Sequence, residues 1–452
     1  MDLYPIKTYK LPIRIIVIYL VFTLVLYAFG PFRWITYNPL LFWSLNILYV
    51  FSLWLGWVVS LRISSYKVYK KWEPTDEKAV ANILRPLIWM NIIIELLFAM
   101  RRYRFISFNI PGLIVQIYNG LRNMGLSYSK FQTGIDDISG ANLVGGNFVT
   151  LVNLLFSFFS FNIVILSGLL FKHFKFRYKI LIVFTYVFIC FEYLSTGTNI
   201  GAFRIILIIV VIFALNFARS QNNMTRKNTS KKKVVFVVSS LIGIVIVLFV
   251  FNRIMQSRGG ILSWQSNSYN VGGIGLDRNS IVFKIIPSGF YMLVISLSSY
   301  LTQGYYGMSL SLKLPWEPGF GFGHNKALQQ LFPEYLDPIY FNTYQYRLNN
   351  YGWDENIQWH SLYTWFANDF TFWGVIIVLF FIGYIFCKAY TDSLVYNNPF
   401  AKVVVYYFVL LCVFIPCNNQ LFQSTYILFG FLGSIFLWFI TRKGIRIFLN
   451  RF

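Results

Sequence analysis

Two of the three histidines of this sequence, His324 and His360, fall in one stretch, residues 253–364. A histidine near its ordinary pKa takes a proton from a hydroxyl at neutral pH, which makes it the readiest acid–base group for work on a poor nucleophile. His360 stands in Trp359-His360-Ser361-Leu362-Tyr363, directly before an apolar block, and is the first candidate for a base. His324 stands in Gly319-Phe320-Gly321-Phe322-Gly323-His324-Asn325, a turn whose glycines let backbone approach a neighbour closely. Asp354 and Glu355 precede His360. Asp369 follows it by about two and a half helical turns, near 14 Å along a helix axis and too far for direct contact. Three roles stay open for Asp369: orienting His360, acting as the base itself, or pairing with a buried arginine. His173, among Lys172, Lys175 and Arg177, reads as a loop residue.

Arginines and aromatic rings concentrate in the same stretch. Arg258 precedes Gly259-Gly260, and Arg278 closes Gly272-Gly273-Ile274-Gly275-Leu276-Asp277. Arg204 and Arg347 complete the set. A guanidinium offers a planar fork of donors that suits phosphate oxygens, and neighbouring glycines open backbone amides to an anion. Tyr305, Tyr306 and Trp359 belong to a dense aromatic population, and such rings pack on the C–H faces of sugars. The competing account of these rings is an interfacial belt together with the segment's own core.

The elements that must position these groups follow from composition. Hydrophobic residues make up 57% of the 452 and charged residues only 12%, about half the fraction of a soluble chain. The apolar residues arrive in unbroken blocks, so the fold class is an all-α polytopic integral membrane protein. About 20 residues make a span. The blocks near 12–29, 39–60, 84–100, 147–171, 179–195, 200–217, 234–252, 365–387, 403–416 and 422–440 then predict about ten spans, in a range of 10–12. The first block reads as a retained anchor because no small-residue cleavage site follows it. The net charge of +23 is explained by topology. With both termini in the cytoplasm, most of the 39 basic residues fall in short inside segments with only Asp2, Glu73, Asp76, Glu77 and Asp392 beside them. A nucleic-acid partner is therefore not expected. Cys190, Cys387, Cys412 and Cys417 lack zinc-ligand spacing, so neither metal nor cofactor is expected.

Three parts follow: a transmembrane bundle over 1–252 with an outer loop at 101–146, a long structured outer loop at 253–364, and C-terminal helices over 365–452. The stretch Ile285 to Leu301 inside the long loop predicts a helix lying in the outer interface or dipping back. Transporters favour pseudo-symmetric halves and mid-membrane charge. This chain shows no mirrored halves, which makes a flippase the weaker class.

The architecture, the Thr-Gly-Thr turn at Thr196 to Thr198, the Arg258-Gly259-Gly260 opening of the long loop, and Trp359-His360-Ser361-Leu362-Tyr363 leading to Asp369 and Gly374 resemble the O-antigen polymerases. Relatives often carry Arg directly after the Thr-Gly turn, where this chain has Asn199 and, later, Arg204. The resemblance implies a glycosyltransferase-C-like fold in the bacterial inner membrane. It also implies metal-independent glycosyl transfer between undecaprenyl-diphosphate-linked oligosaccharides on the periplasmic face. His360, Asp369, Arg258 and Arg278 would then be catalytic. Arg204, Arg347, His324, Tyr305, Tyr306 and Trp359 would bind substrate. Membrane lipid and a chain-length-regulating co-polymerase would be partners, and an O-antigen ligase is the nearest rival reading.

Overall fold

The computed structural model describes residues 6–63, 71–133, 146–220, 248–257 and 269–442, with 243 and 245. Arg258 and most of the block 234–252 lie outside the described residues. The principal helices are α1 (Ile6–Phe29), α2 (Pro39–Ile63), α3 (Pro74–Arg102), α4 (Ile110–Arg122), α5 (Met124–Thr133), α6 (Gly146–Phe156), α7 (Ser160–Leu169), α8 (Phe176–Ser195), α9 (Ile200–Ser220), α10 (Tyr291–Ser311), α11 (Lys326–Leu331), α12 (Pro333–Asn342), α13 (Leu362–Val395), α14 (Pro399–Phe414) and α15 (Thr425–Arg442). The protein is an all-α membrane protein: among the described residues, α1, α2, α3, α8, α9, α13 and α15 are long and apolar enough to cross a bilayer. Two expected spans are shorter. The block 147–171 is divided by a turn between α6 and α7, and α14 has 16 residues.

By packing, the chain divides into two compact units. The first comprises Met1–Lys67, Gly260–Thr391 and Tyr407–Leu428; the second comprises Val68–Gly259, Asp392–Tyr406 and Phe429–Phe452.

In the first unit α2 and α13 run parallel. The Tyr49 hydroxyl donates to the Phe372 carbonyl at 2.6 Å, and Ser52 donates to that of Ile376 one turn on. A Cβ on Gly56 would collide with the Phe380 carbonyl oxygen, and one on Gly383 with that of Leu53. Glycine at both places lets the two backbones approach, the usual device where lipid removes the hydrophobic drive between helices. The start of α1 lies beside the later turns of the same pair, with Trp57 Nε1 donating to the Tyr9 carbonyl at 3.1 Å and the Tyr390 hydroxyl to that of Thr8 at 3.2 Å. Helix α13 is interrupted at Thr371 (φ 60°, ψ 165°).

The stretch 285–301 does not form one interfacial helix. Pro287 separates a short helix, Ile281–Ile285, from α10, which continues to Ser311 and packs along α1. Most of its second half is buried, with the Tyr305 hydroxyl bonded to Thr23 at 3.0 Å and Trp34 Nε1 donating to Thr302 at 2.9 Å. The sequence Gly272-Gly273 makes the two-residue turn of a small hairpin, β1 (Asn270–Val271) with β2 (Ile274–Gly275), both glycines at positive φ. A Cβ on Gly272 would strike the Trp353 ring, so this glycine serves packing.

In the second unit each end of α3 carries a charge pair. Near its start buried Glu77 accepts from Lys172 Nζ (3.0 Å), His173 Nε2 (2.9 Å), Asn397 Nδ2 (2.8 Å) and Lys402 Nζ (3.4 Å). His173 is thus a tie between elements, where the sequence shows only a basic loop. At the other end Arg102 Nη1 donates to Glu192 at 2.6 Å and its guanidinium lies 3.9 Å over the Tyr193 ring. An intramembrane acid needs such a partner, because lipid offers it no water.

Candidate functional site

The Gly-rich turn 319–324 wraps the first turns of α13, and what it wraps is Asp369. The backbone amides of Gly321 and Gly323 donate to Asp369 Oδ1 at 2.8 and 3.0 Å. The amide of His324 donates to Oδ2 at 2.8 Å, and His324 Nδ1 lies 2.6 Å from the same oxygen. Successive amides forming a cup make an anion nest, here filled by a carboxylate of the same chain. The glycines are dictated by this closeness: a Cβ on Gly319 would strike Asp369 Oδ1, and one on Gly323 would strike the Asn368 Cβ. Asn368 locks the turn from its other side, donating to the Gly323 carbonyl (3.0 Å) and to Gln345 (2.8 Å) and accepting from the Tyr344 amide (2.9 Å).

This arrangement sets the histidine. A carboxylate only accepts, so Nδ1 carries the proton and Nε2 keeps its lone pair in the neutral ring. The Asp369 side chain is 1% exposed and that of His324 14%. The ring is held among Phe366, Phe370 and Phe422, with centroids 5.3, 6.2 and 4.8 Å away. An oriented imidazole with a carboxylate behind it is the arrangement of a general base that must become charged and then give its proton up.

The turn between α14 and α15 supplies the next layer. Asn419 Nδ2 donates to the His324 carbonyl at 2.8 Å, and the Ala327 amide donates to that of Phe422 at 2.9 Å. Asn418, Asn419, Gln420 and Gln423 put four uncharged amides in this turn, and the sequence reading passed over them. The signal was present as an amide-rich run between two apolar blocks; in the fold Asn418 and Gln420 bond Gln423, which makes a buried uncharged turn.

His360 lies deeper. It is 2% exposed, and neither ring nitrogen has a hydrogen-bond partner among the described residues. Burial, with the nearby Lys326 ammonium, pushes its pKa down to about 3. The near-neutral titration expected of His360 therefore does not hold, because desolvation penalises the imidazolium. Further buried polar atoms of the segment 326–358 are without partners among the described residues, including Gln329 Oε1, Gln345 Nε2, Glu355 Oε2 and Gln358 Oε1. Lys326 Nζ lies 3.6 Å from Glu355, which also accepts from the Tyr340 hydroxyl.

The other candidates scatter. Arg347 reaches Glu317 at 2.8 Å and the Pro315 carbonyl at 2.9 Å, and its guanidinium sits 5.1 Å from the Tyr344 ring, next to Asn368. Arg278 is exposed just past the hairpin. Arg204 lies in the second unit, buried in the first turns of α9, where its carbonyl accepts from Tyr406 at 3.4 Å. The Thr-Gly-Thr turn caps α8, with both threonine hydroxyls donating to the Tyr193 carbonyl. Tyr305 and Tyr306 are buried, the latter packed on Trp34 and Trp353 at 5.2 and 4.9 Å. Trp359 is half-buried with its ring edge-on to Tyr300 at 4.4 Å. Among the described residues Asp369 meets a histidine, and neither an arginine nor His360.

No protein-family model, no curated protein and no solved structure matches the chain.

Proposed function

We propose that the protein is a glycosyltransferase of glycosyltransferase-C-like fold, set in the bacterial inner membrane with both termini cytoplasmic. It joins undecaprenyl-diphosphate-linked oligosaccharide repeat units on the periplasmic face. The hydroxyl of one unit attacks the anomeric carbon of another, the bond to the lipid diphosphate breaks, and the hydroxyl proton passes to a base. The observation that carries this reading is the His324–Asp369 pair. It is the one carboxylate-backed imidazole in the segment where the sequence concentrates acid–base groups.

In this reading His324 Nε2 takes the proton, and Asp369 positions the ring and offsets its charge. A departing diphosphate requires fixed positive charge, and in this reading Lys326 and Arg347, paired with Glu355 and Glu317, are the cations of the same segment that would turn toward it. The amides of the 416–424 turn suit sugar hydroxyls, which both donate and accept. A co-polymerase that sets chain length would be a partner of the assembled enzyme.

The test is polymerisation of lipid-linked repeat units by the purified protein. His324→Ala is expected to lose roughly 10²–10⁴-fold in rate, the usual contribution of a positioned base. Full activity in His324→Ala and Asp369→Asn would remove the pair from the chemistry. Transfer of finished glycan to a lipid core, with no polymerisation, would assign the ligase activity instead.

A further inference from the structure

A cleft of about 600 Å³ opens where α1 ends, lined by Tyr27, Phe29, Trp34 and Trp43 on one side and by Asp277, Ser280 and Ile281 on the other. It lies wholly within the first unit and is built from parts the proposed chemistry does not use. Three observations bear on its occupant.

The first is charge. Arg33 lines the cleft with its side chain 68% exposed, and Asp277 engages only its Nη2, at 2.9 Å. The remaining guanidinium donors are open to a second acceptor. Lys284, exposed on the short helix beyond the second wall, also acts electrostatically on Asp277. One carboxylate facing two cations leaves this end of the cleft net positive.

The second is continuity with an apolar surface. Ile15, Ile18, Phe22, Val25 and Phe29 are exposed and recur at helical spacing, so they form one stripe along α1. That stripe runs along the last four turns of the helix and ends at Phe29, in the cleft wall. Ile281 and Ile285 continue exposed apolar surface on the opposite wall.

The third is the indole pair. Trp34 and Trp43 stand at the junction of stripe and charge, the level at which amphipathic rings sit in a bilayer.

We propose that this cleft seats the phosphodiester head of an anionic membrane lipid, with phosphate on Arg33 and the lipid tail along the Ile15–Phe29 stripe. A soluble anion would use the charge alone, and a neutral lipid the stripe alone. An anionic amphiphile places its phosphate on the charge while its tail stays in the bilayer that the stripe faces. The proposal is independent of the glycosyl-transfer reading and stands or falls separately from it.

The experiment is isothermal titration of the detergent-purified full chain with short-chain phosphatidylglycerol, with phosphatidylcholine of the same chain length, and with inorganic phosphate. The expected result is saturable phosphatidylglycerol binding, phosphatidylcholine at least about tenfold weaker, and no phosphate binding over the same range, since each cation at a membrane surface favours an anionic lipid. The double variant Arg33→Gln, Lys284→Gln is expected to bring phosphatidylglycerol down to the phosphatidylcholine level, while Arg33→Lys keeps most of the selectivity. Equal binding of the two lipids by the unaltered protein, or unchanged selectivity in the double variant, overturns the proposal. Inorganic phosphate binding as tightly as phosphatidylglycerol overturns it too, in favour of a soluble-anion site.

Discussion

Tyr49 donates its hydroxyl to the carbonyl of Phe372, the residue directly after the break in α13 at Thr371. The break frees backbone groups inside an apolar helix, and each must find another partner. Thr371 supplies one itself, its Oγ1 accepting from the Gly374 amide at 3.2 Å as an N-cap for the rest of the helix. Its φ of 60° with ψ of 165° lies in a region essentially reserved for glycine, at a cost of about 1–3 kcal/mol.

The first prediction concerns this break. Thr371→Gly is expected to raise the thermal stability of the detergent-purified protein, because relief of the strain exceeds the few tenths of a kcal/mol lost when glycine replaces a capping residue. Thr371→Val keeps the strain and deletes the cap, so it is expected to cost about 1 kcal/mol. Tyr49→Phe removes one interhelical hydrogen bond, leaving the Phe372 carbonyl to the helix it opens, and is expected to cost about 0.5–1.5 kcal/mol. The reverse order of melting temperatures for the two Thr371 variants would contradict the cap-and-strain account.

Asp369 separates two roles. All four of its described hydrogen bonds are accepted from the turn 321–324, so its oxygens are engaged and it serves to position His324. Asp369→Asn is expected to reduce polymerisation steeply with little change in the KM for lipid-linked substrate. An amide can donate as well as accept, so it no longer enforces the Nδ1–H tautomer. A variant that loses substrate binding and keeps its turnover number would mean that the turn shapes the pocket and leaves the proton alone.

His360 predicts a pH dependence of stability. Its folded pKa, near 3, lies below the ordinary 6.5. Between these values the unfolded chain binds a proton that the folded protein does not, so stability falls as pH falls, by about 1.4 kcal/mol per pH unit for one such group. Above about pH 6.5 the effect vanishes. Comparing pH 7.5 with pH 5.0, the loss for the unaltered protein should exceed that for His360→Gln by about 2 kcal/mol. Equal losses would mean that His360 takes up its proton without unfolding.

Topology is tested at exposed positions. Asn356 and Lys175 are both exposed, and the proposed orientation puts the first outside and the second in the cytoplasm. The charge pattern also puts Lys231 inside and Gly260 and Tyr305 outside; the first two lie outside the described residues, and Tyr305 is buried. In intact cells an impermeant thiol reagent is expected to label Asn356→Cys and spare Lys175→Cys. Labelling of the second alone would invert the protein in the membrane.

Much of the architecture is legible in the residues themselves, because a bilayer leaves the chain few choices. An unbroken apolar block long enough to span must close its backbone hydrogen bonds internally, so composition alone specifies the helices and their approximate limits. The break of the 147–171 block and the kink at Thr371 escaped that reading, since each depends on which neighbours satisfy the freed backbone. The candidate site was legible in its parts and not in its pairing. His324, Asp369 and the Gly-aromatic turn were all visible as singular residues, yet Asp369 stands far closer in sequence to His360 than to His324. Helical spacing already set Asp369 and His360 too far apart for contact, but it could not name the actual partner, because a returning turn can bring together residues more than forty apart. Burial, too, has no linear trace: His360 and His324 are chemically identical in the sequence. The fold removes water from one and sets a carboxylate behind the other, and no spacing in the chain records that difference.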